Sequence, residues 1–163
     1  MKIRHFLLLC VVVMSLMTFG CAPARSEMDY LESGGRGEVS GEMNGMVFSA
    51  LIEISPGGEG VRVEYLSPEG ICGLTITKST ETCEVRLGEV SSLCNETELA
   101  GFLRPATAFS LYGDTKSVQK EGENTVLVFP SGSVLTLSPK GEPLSLLGEN
   151  VDMQVVWWQN GER

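Results

Sequence analysis

Cysteine and histidine, the side chains that most often act as nucleophiles, proton shuttles or metal ligands, are few and widely spaced in this chain. The cysteines lie at positions 10, 21, 72, 83 and 94, and His5 is the single histidine among 163 residues. No two cysteines have the C-x-x-C spacing that is typical of redox and metal sites. The sequence therefore predicts no metal site, no cofactor and no catalytic residue, and the protein is predicted not to be an enzyme.

The amino terminus has the layout of an export signal. Lys2 and Arg4 precede an apolar segment at residues 6–17, and small residues and a cysteine follow at Gly20-Cys21. The apolar segment is shorter than the roughly 20 residues that a membrane-spanning helix needs. Residues 1–20 are therefore predicted to be a signal peptide.

Thr18-Phe19-Gly20-Cys21 resembles the lipobox of bacterial lipoproteins, although that motif prefers Leu at the first position and a small residue at the second. The resemblance implies that Cys21 receives acyl chains of the palmitate type and becomes the first mature residue. Because two or more acyl chains anchor a protein stably, we expect attachment to the extracytoplasmic face of a bacterial membrane. Two alternatives stay open: cleavage after Ala24 would release a secreted protein, and an uncleaved segment would itself serve as an anchor.

Removal of residues 1–20 would leave an acidic protein without histidine. Ten basic and 21 acidic residues remain, a net charge of −11. Such a surface repels phosphate groups, so no nucleic acid partner is predicted. Residues 21–43 combine the lipidation site with many Gly, Ser and Glu residues, and we expect a flexible tether there. Residues 44–163 are then predicted to form one folded domain.

The clearest structural signal is a β-hairpin at residues 70–87, in which apolar and polar residues alternate on both sides of a turn at Ser79-Thr80. This register places three apolar pairs on one face: Ile76 with Cys83, Leu74 with Val85, and Cys72 with Leu87.

In the same register Cys72 and Cys83 are offset by four residues, which is more than about 13 Å and too far for a disulfide. The cysteines are therefore predicted to be small buried residues, although an approach of Cys94 to Cys72 remains open.

Alternation at residues 47–54, 61–66, 125–129, 134–137, 144–147 and 151–158 predicts further strands, for about eight in total. Residues 113–124 are polar and predicted to be a loop. Asn95 to Glu98 forms a capping box before an apolar stripe of helical spacing. Pro105 is expected to stop or kink this helix near Arg104, with a second short helix at residues 106–112.

The predicted order of elements resembles that of the LolA/LolB-like lipoprotein carriers: a lipobox is followed by strands, a helical segment and further strands. The likeness is carried by the strand–Ser-Pro-Glu–strand join at residues 63–76, the late hairpin at residues 132–144 and the closing strand at residues 151–158. It implies an α+β, mainly β fold. In that fold a curved antiparallel sheet, a half-open barrel of about eight strands, is covered by one or two short helices.

In carriers of this shape the concave face holds an acyl chain or docks a partner. The resemblance implies that the corresponding lining in this chain is Phe48, Ile52, Val63, Tyr65, Leu74, Ile76, Val85 and Trp157. A dry core under the helix would show the same alternation. Two functions therefore stay open. The first is a membrane-anchored envelope lipoprotein that binds or carries a lipid, lipoprotein or other hydrophobic ligand. The second is a non-enzymatic lipoprotein with a filled core that binds an envelope protein.

Overall fold

The computed structural model describes residues 29–110 and 115–161, which contain two α-helices and eleven strands. The α-helices are α1 (Asp29–Ser33) and α2 (Glu96–Ser110). The strands are β1 (Gly35–Met43), β2 (Met46–Ile54), β3 (Val61–Ser67), β4 (Leu74–Lys78), β5 (Cys83–Leu87), β6 (Val90–Leu93), β7 (Ser117–Glu121), β8 (Asn124–Val128), β9 (Val134–Leu137), β10 (Pro143–Gly148) and β11 (Val151–Asn160).

All eleven strands form one antiparallel sheet in the order β6-β5-β4-β3-β2-β1-β11-β10-β9-β8-β7. The sheet consists of two meanders, β1 to β6 and β7 to β11, which the ladder between β1 and β11 joins. The sheet is curved and does not close, so β6 and β7 form its two edges. The predicted α+β, mainly β class with a half-open barrel is confirmed, and the expected number of about eight strands is corrected to eleven.

The largest correction concerns the predicted tether at residues 21–43. Residues 29–43 form α1 and β1, and β1 lies in the centre of the sheet between β2 and β11. The polar side chains of β1 point to one face, whereas Gly37, Val39 and Met43 are buried on the other. Residues 21–28, the signal peptide and Cys21 lie outside the described residues.

The glycines of β1 permit close packing rather than flexibility. A Cβ atom on Gly41 would lie 2.0 Å from the carbonyl oxygen of Asp152, and one on Gly37 would lie 2.5 Å from that of Trp157. Both distances are far below van der Waals contact, so no larger residue fits without moving β11. The same glycines that suggest a flexible segment in the sequence therefore allow β1 and β11 to pair.

The 70–87 hairpin forms with a register shifted by two residues. Ile76 lies opposite Val85 and Leu74 lies opposite Leu87, and residues 79–82 form the loop. A shift of two keeps every strand residue on its predicted face, since side chains alternate with a period of two. Cys72 is the exception, because it lies in the turn before β4 and is exposed.

The three cysteines of the described residues differ in solvent exposure. Cys83 is buried, Cys94 is half-buried, and neither they nor Cys72 form a disulfide within the described residues. The prediction of small buried residues is therefore correct for Cys83 alone.

Helix α2 also differs from its prediction, since it continues through Pro105 to Ser110 as one element. Its first turn is capped by Asn95, whose Oδ1 accepts a hydrogen bond from the Thr97 N–H at 3.0 Å. The buried side of α2, with Leu103, Ala106 and Phe109, packs mainly on β3 and β2. This packing stabilises a helix that proline alone would interrupt. Neither helix of the described residues is long and apolar enough to cross a membrane.

Replacing Gly41 with alanine tests the close approach of β1 to β11. The added methyl group would overlap the Asp152 carbonyl, and we expect Gly41→Ala to lower the free energy of unfolding by about 1–3 kcal/mol, as overpacking generally does. Urea denaturation measures this change. Ser40→Ala, the adjacent outward-facing position, is the control and should change stability little. Equal stability of the two variants would contradict a central position for β1.

Candidate functional site

Seven of the eight residues predicted to line a ligand site lie on the face of the sheet that α2 covers. Five of them have at most 1% of their surface exposed: Phe48, Ile52, Val63, Tyr65 and Ile76. Leu74 and Val85 are half-buried and pack against the same core. The structure therefore brings these seven residues together, and most of the group is packed rather than open to solvent.

Trp157 lies on the opposite face, in contrast to the prediction. The ladder between β1 and β11 changes register between Glu38 and Val39, where Trp157 and Val155 are the respective partners. Val156 is thus an extra residue in a β-bulge, and the alternation of sides reverses after it. As a result Trp158 packs against the core, and Trp157 is 40% exposed. Of the two adjacent indoles, the inward one is therefore Trp158 and not the predicted Trp157.

Two tyrosine hydroxyls connect α2 to the rest of the fold. Pro105 has no N–H to donate to the Gly101 carbonyl, which lies four residues before it in α2, and its ring crowds that turn. The Tyr65 hydroxyl donates to the Phe102 carbonyl in this turn at 2.8 Å. At the carboxyl end of α2, the Tyr30 hydroxyl donates to the Phe109 carbonyl, also at 2.8 Å. This carbonyl is among the last four of the helix, which have no partner within it.

Tyr65 is the central contact between α2 and the sheet. Its ring makes edge-to-face contacts with Phe48 on β2 and Phe102 on α2, at centroid distances of 6.0 and 6.1 Å. Burial raises the pKa of the Tyr65 hydroxyl well above its ordinary value. The group therefore stays protonated at every physiological pH and acts as a donor rather than as a general base.

Helix α2 covers only part of the apolar face. It lies against β3 and β2, with fewer contacts to β4 and β10. Within the described residues, the end of β5 and all of β6 are exposed. We call the half-buried and exposed apolar residues on this uncovered part the β4–β6 patch: Leu74, Val85, Leu87 and Val90. Leu87 lies opposite Leu74, and Val90 lies opposite Leu87, so the patch continues the core toward the sheet edge.

The β4–β6 patch contains the most exposed apolar residues on this face. Val90 is 74% exposed and Leu87 is 54% exposed. Sequence reasoning identified Leu74 and Val85 but missed Val90, because Val90-Ser91-Ser92-Leu93 places one apolar residue on each face and shows no alternation.

The face without a helix carries a groove of about 370 Å³ that mixes charge with apolar surface. It is lined by Arg36, Leu51, Glu53, Arg62, Glu64 and Trp157, together with backbone of Gly37 and Ile52. The Trp157 Nε1–H donates to Glu38 at 3.1 Å, and Arg62 pairs with Glu64 at 3.4 Å. Within residues 29–110 and 115–161, no group of three or more His, Cys, Asp or Glu side chains could hold a metal ion.

No protein-family model matches the sequence, and no curated protein shows significant sequence similarity to it. Among solved structures, the chain is similar to an uncharacterized conserved protein from Thermus thermophilus. The TM-score is 0.53 and the identity 15%, over 86% of this chain and 88% of that one.

Two further similar structures have lower TM-scores. A LolA superfamily protein from Nitrosomonas europaea gives 0.46 at 11% identity, over 88% of this chain and 96% of that one. The structure of the Pseudomonas aeruginosa MucA/MucB complex gives 0.42 at 15% identity, over 84% of this chain and 56% of that one. At these identities the likeness concerns the fold alone. A LolA superfamily protein, from the family that the sequence resembles, is thus among the structures to which this chain is similar.

Substituting Tyr65 with phenylalanine isolates the hydroxyl contact to α2. Tyr65→Phe keeps the ring contacts and removes the donor to the Phe102 carbonyl, so we expect a loss of about 0.5–1.5 kcal/mol in the free energy of unfolding. In a Pro105→Ala background the restored N–H donates to the Gly101 carbonyl, so this turn depends less on the Tyr65 hydroxyl and the same substitution should cost less. Chemical denaturation of the four proteins measures the coupling, and a zero coupling energy would show that Pro105 and Tyr65 act independently.

Proposed function

We propose that this protein is an exported, lipid-anchored envelope protein that binds a hydrophobic ligand, such as an acyl chain, at the β4–β6 patch. The observation that carries the proposal is the uncovered apolar surface of Leu87 and Val90, which continues the core beside α2. Contiguous exposed apolar surface is a feature of ligand-binding and partner-binding sites. The protein acts in this proposal as a binding or carrier protein and not as an enzyme.

Ligand binding at the patch follows from simple desolvation. An acyl chain that lies on Leu87 and Val90 removes apolar surface from water on both sides, and each buried methylene contributes about 0.8 kcal/mol. Leu74 and Val85 offer the next contacts toward the core. A longer chain reaches Phe48 and Tyr65 only if α2 moves away from β3. Such a movement breaks the Tyr65 hydrogen bond, so a long chain must offset that cost by its own burial.

The second candidate function is a non-enzymatic protein-binding lipoprotein with a filled core. It is favoured by the burial of Phe48, Ile52, Val63, Tyr65 and Ile76, which leaves these five side chains almost no surface for a ligand. The two candidates differ in whether the wild-type protein binds an acyl chain.

Val90 and Leu93 provide a matched pair for testing the proposed site. Both side chains are 74% exposed, but Val90 lies on the face of the patch and Leu93 on the opposite face. Val90→Glu places a carboxylate against the acyl chain, and we expect the affinity for a fluorescent fatty acid to fall at least about tenfold. Leu93→Glu should bind like the wild type. Absence of binding by the wild type would favour the filled-core candidate, and equal loss in both variants would contradict the position of the site.

Lipidation of Cys21 is tested in the producing bacterium. Gly20-Cys21 ends an apolar signal segment, so an alkyne-tagged fatty acid should label the wild type and should not label Cys21→Ala. Cys72→Ala, which removes an exposed thiol in the folded domain, is the control and should keep the label. A mature protein that begins at Arg25 would rule out the lipid anchor.

A further inference from the structure

Among the residues that the structure describes, strand β6 is an edge strand that lacks the usual protection against pairing. Its four residues are all exposed, and two of them are the large apolar residues Val90 and Leu93, each 74% exposed. Natural sheets protect their edges with charged residues, with proline or with a covering element. The other edge of this sheet, β7, has that protection in Lys120 and Glu121. Between Val90 and Leu93, β6 has only two serines.

On the side of β6 that faces away from β5, every second residue directs its backbone N–H and C=O groups outward. The Cys94 N–H donates to the Cys83 carbonyl at 2.9 Å, which makes this a hydrogen-bonded pair of the β5–β6 ladder. Hydrogen-bonded and non-bonded pairs alternate in an antiparallel ladder. Val90 and Ser92 therefore direct their N–H and C=O groups toward β5. Ser91 and Leu93 direct theirs away from the sheet, where a further strand could accept and donate hydrogen bonds.

The sequence around β6 is strongly acidic. Residues 81–98 contain five glutamates and one basic residue, Arg86. Glu84 lies directly opposite Leu93 on β5, and Glu89 precedes the first residue of β6. A strand that carries Lys or Arg at its ends complements this charge, whereas an acidic strand is repelled. A second copy of this chain would bring the same glutamates against one another, so self-pairing through β6 is disfavoured.

We propose that β6 accepts an extended, basic and apolar peptide segment of a partner protein as a twelfth, antiparallel strand. Main-chain hydrogen bonds to Ser91 and Leu93 provide affinity, and side-chain contacts provide specificity for the peptide sequence, as in other cases of strand addition. One apolar residue of the peptide lies opposite Leu93, and another, three positions later, lies opposite Val90. Lysines beyond these positions lie beside Glu89 and in the negative potential of the other glutamates around β6.

The octapeptide Lys-Lys-Val-Thr-Thr-Ile-Lys-Lys, labelled with a fluorophore, has this pattern. We expect fluorescence anisotropy to show binding to the wild-type protein that weakens as salt is raised, because the charges are exposed. The same peptide with glutamate in place of each lysine should bind at least about tenfold more weakly. A peptide N-methylated at its valine and its second threonine, whose N–H groups point toward β6 in this register, tests the backbone bonds without any change in the protein. It too should bind at least about tenfold more weakly.

Ser91→Pro and Ser91→Ala are the matched protein variants. Proline removes the Ser91 N–H that points away from the sheet and leaves the β5–β6 ladder intact, whereas alanine keeps that N–H. Ser91→Pro should weaken binding of the lysine octapeptide at least about tenfold, and Ser91→Ala should bind like the wild type. Both variants should still bind the fluorescent fatty acid, so failure of this proposal is distinct from failure of the acyl-chain site.

Four results would overturn the proposal. They are absence of octapeptide binding to the wild type, equal binding by Ser91→Pro and Ser91→Ala, equal binding of the N-methylated peptide, and equal binding of the glutamate peptide. A wild-type dimer that Ser91→Pro dissociates, measured by analytical ultracentrifugation, would assign the edge to a second copy and would also overturn it.

Discussion

The ladder between β1 and β11 is the interaction on which the rest of the structure depends. It joins two meanders that would otherwise be separate sheets, and it exists because glycines let the two backbones approach. Where β1 begins, the indole of Trp158 lies on Gly35 and Gly37, since a Cβ on either glycine would be 2.6 Å from its ring. The same indole meets the Tyr30 ring edge-on at 5.6 Å. Tyr30 in turn holds the end of α2, so the position of the helix depends on the glycines of β1.

One helix cannot cover the apolar face of an eleven-stranded sheet, and its placement decides what remains exposed. Because α2 lies on β2 and β3, the core is dry there and the side chains are fully buried. Beyond β4 the strands are short, and Leu87 and Val90 meet solvent. The open edge and the β4–β6 patch therefore have one origin, which is that α2 follows directly after β6 and turns back over the middle of the sheet.

Periodicity predicted the parts of the fold and of the site in which apolar side chains alternate with polar ones. In the hairpin at residues 70–87 the predicted faces were correct although the register was shifted by two, and seven of the eight lining residues share the predicted face.

Strand β1 was not predicted because its inward positions are partly glycine. Helix α2 continued past Pro105 because tertiary contacts outweigh a local preference. Trp157 was misplaced because one extra residue, Val156, reverses the alternation. Val90 was missed because a four-residue strand is too short to show a period. The most exposed residue of the patch is thus one that periodicity could not find.

The pairing of β1 with β11 also sets the order in which the chain can fold. Gly35 pairs with Asn160, so the chain segment between the two strands of the central ladder contains all of the strands from β2 to β10. The meander from β2 to β6 has mostly local contacts, whereas the join between the two halves has a high contact order, so we expect the join to form last. A chain of this topology stays incomplete until its final strand is available. That delay is compatible with translocation of an unfolded polypeptide, which a sheet closed by early, local pairing would obstruct.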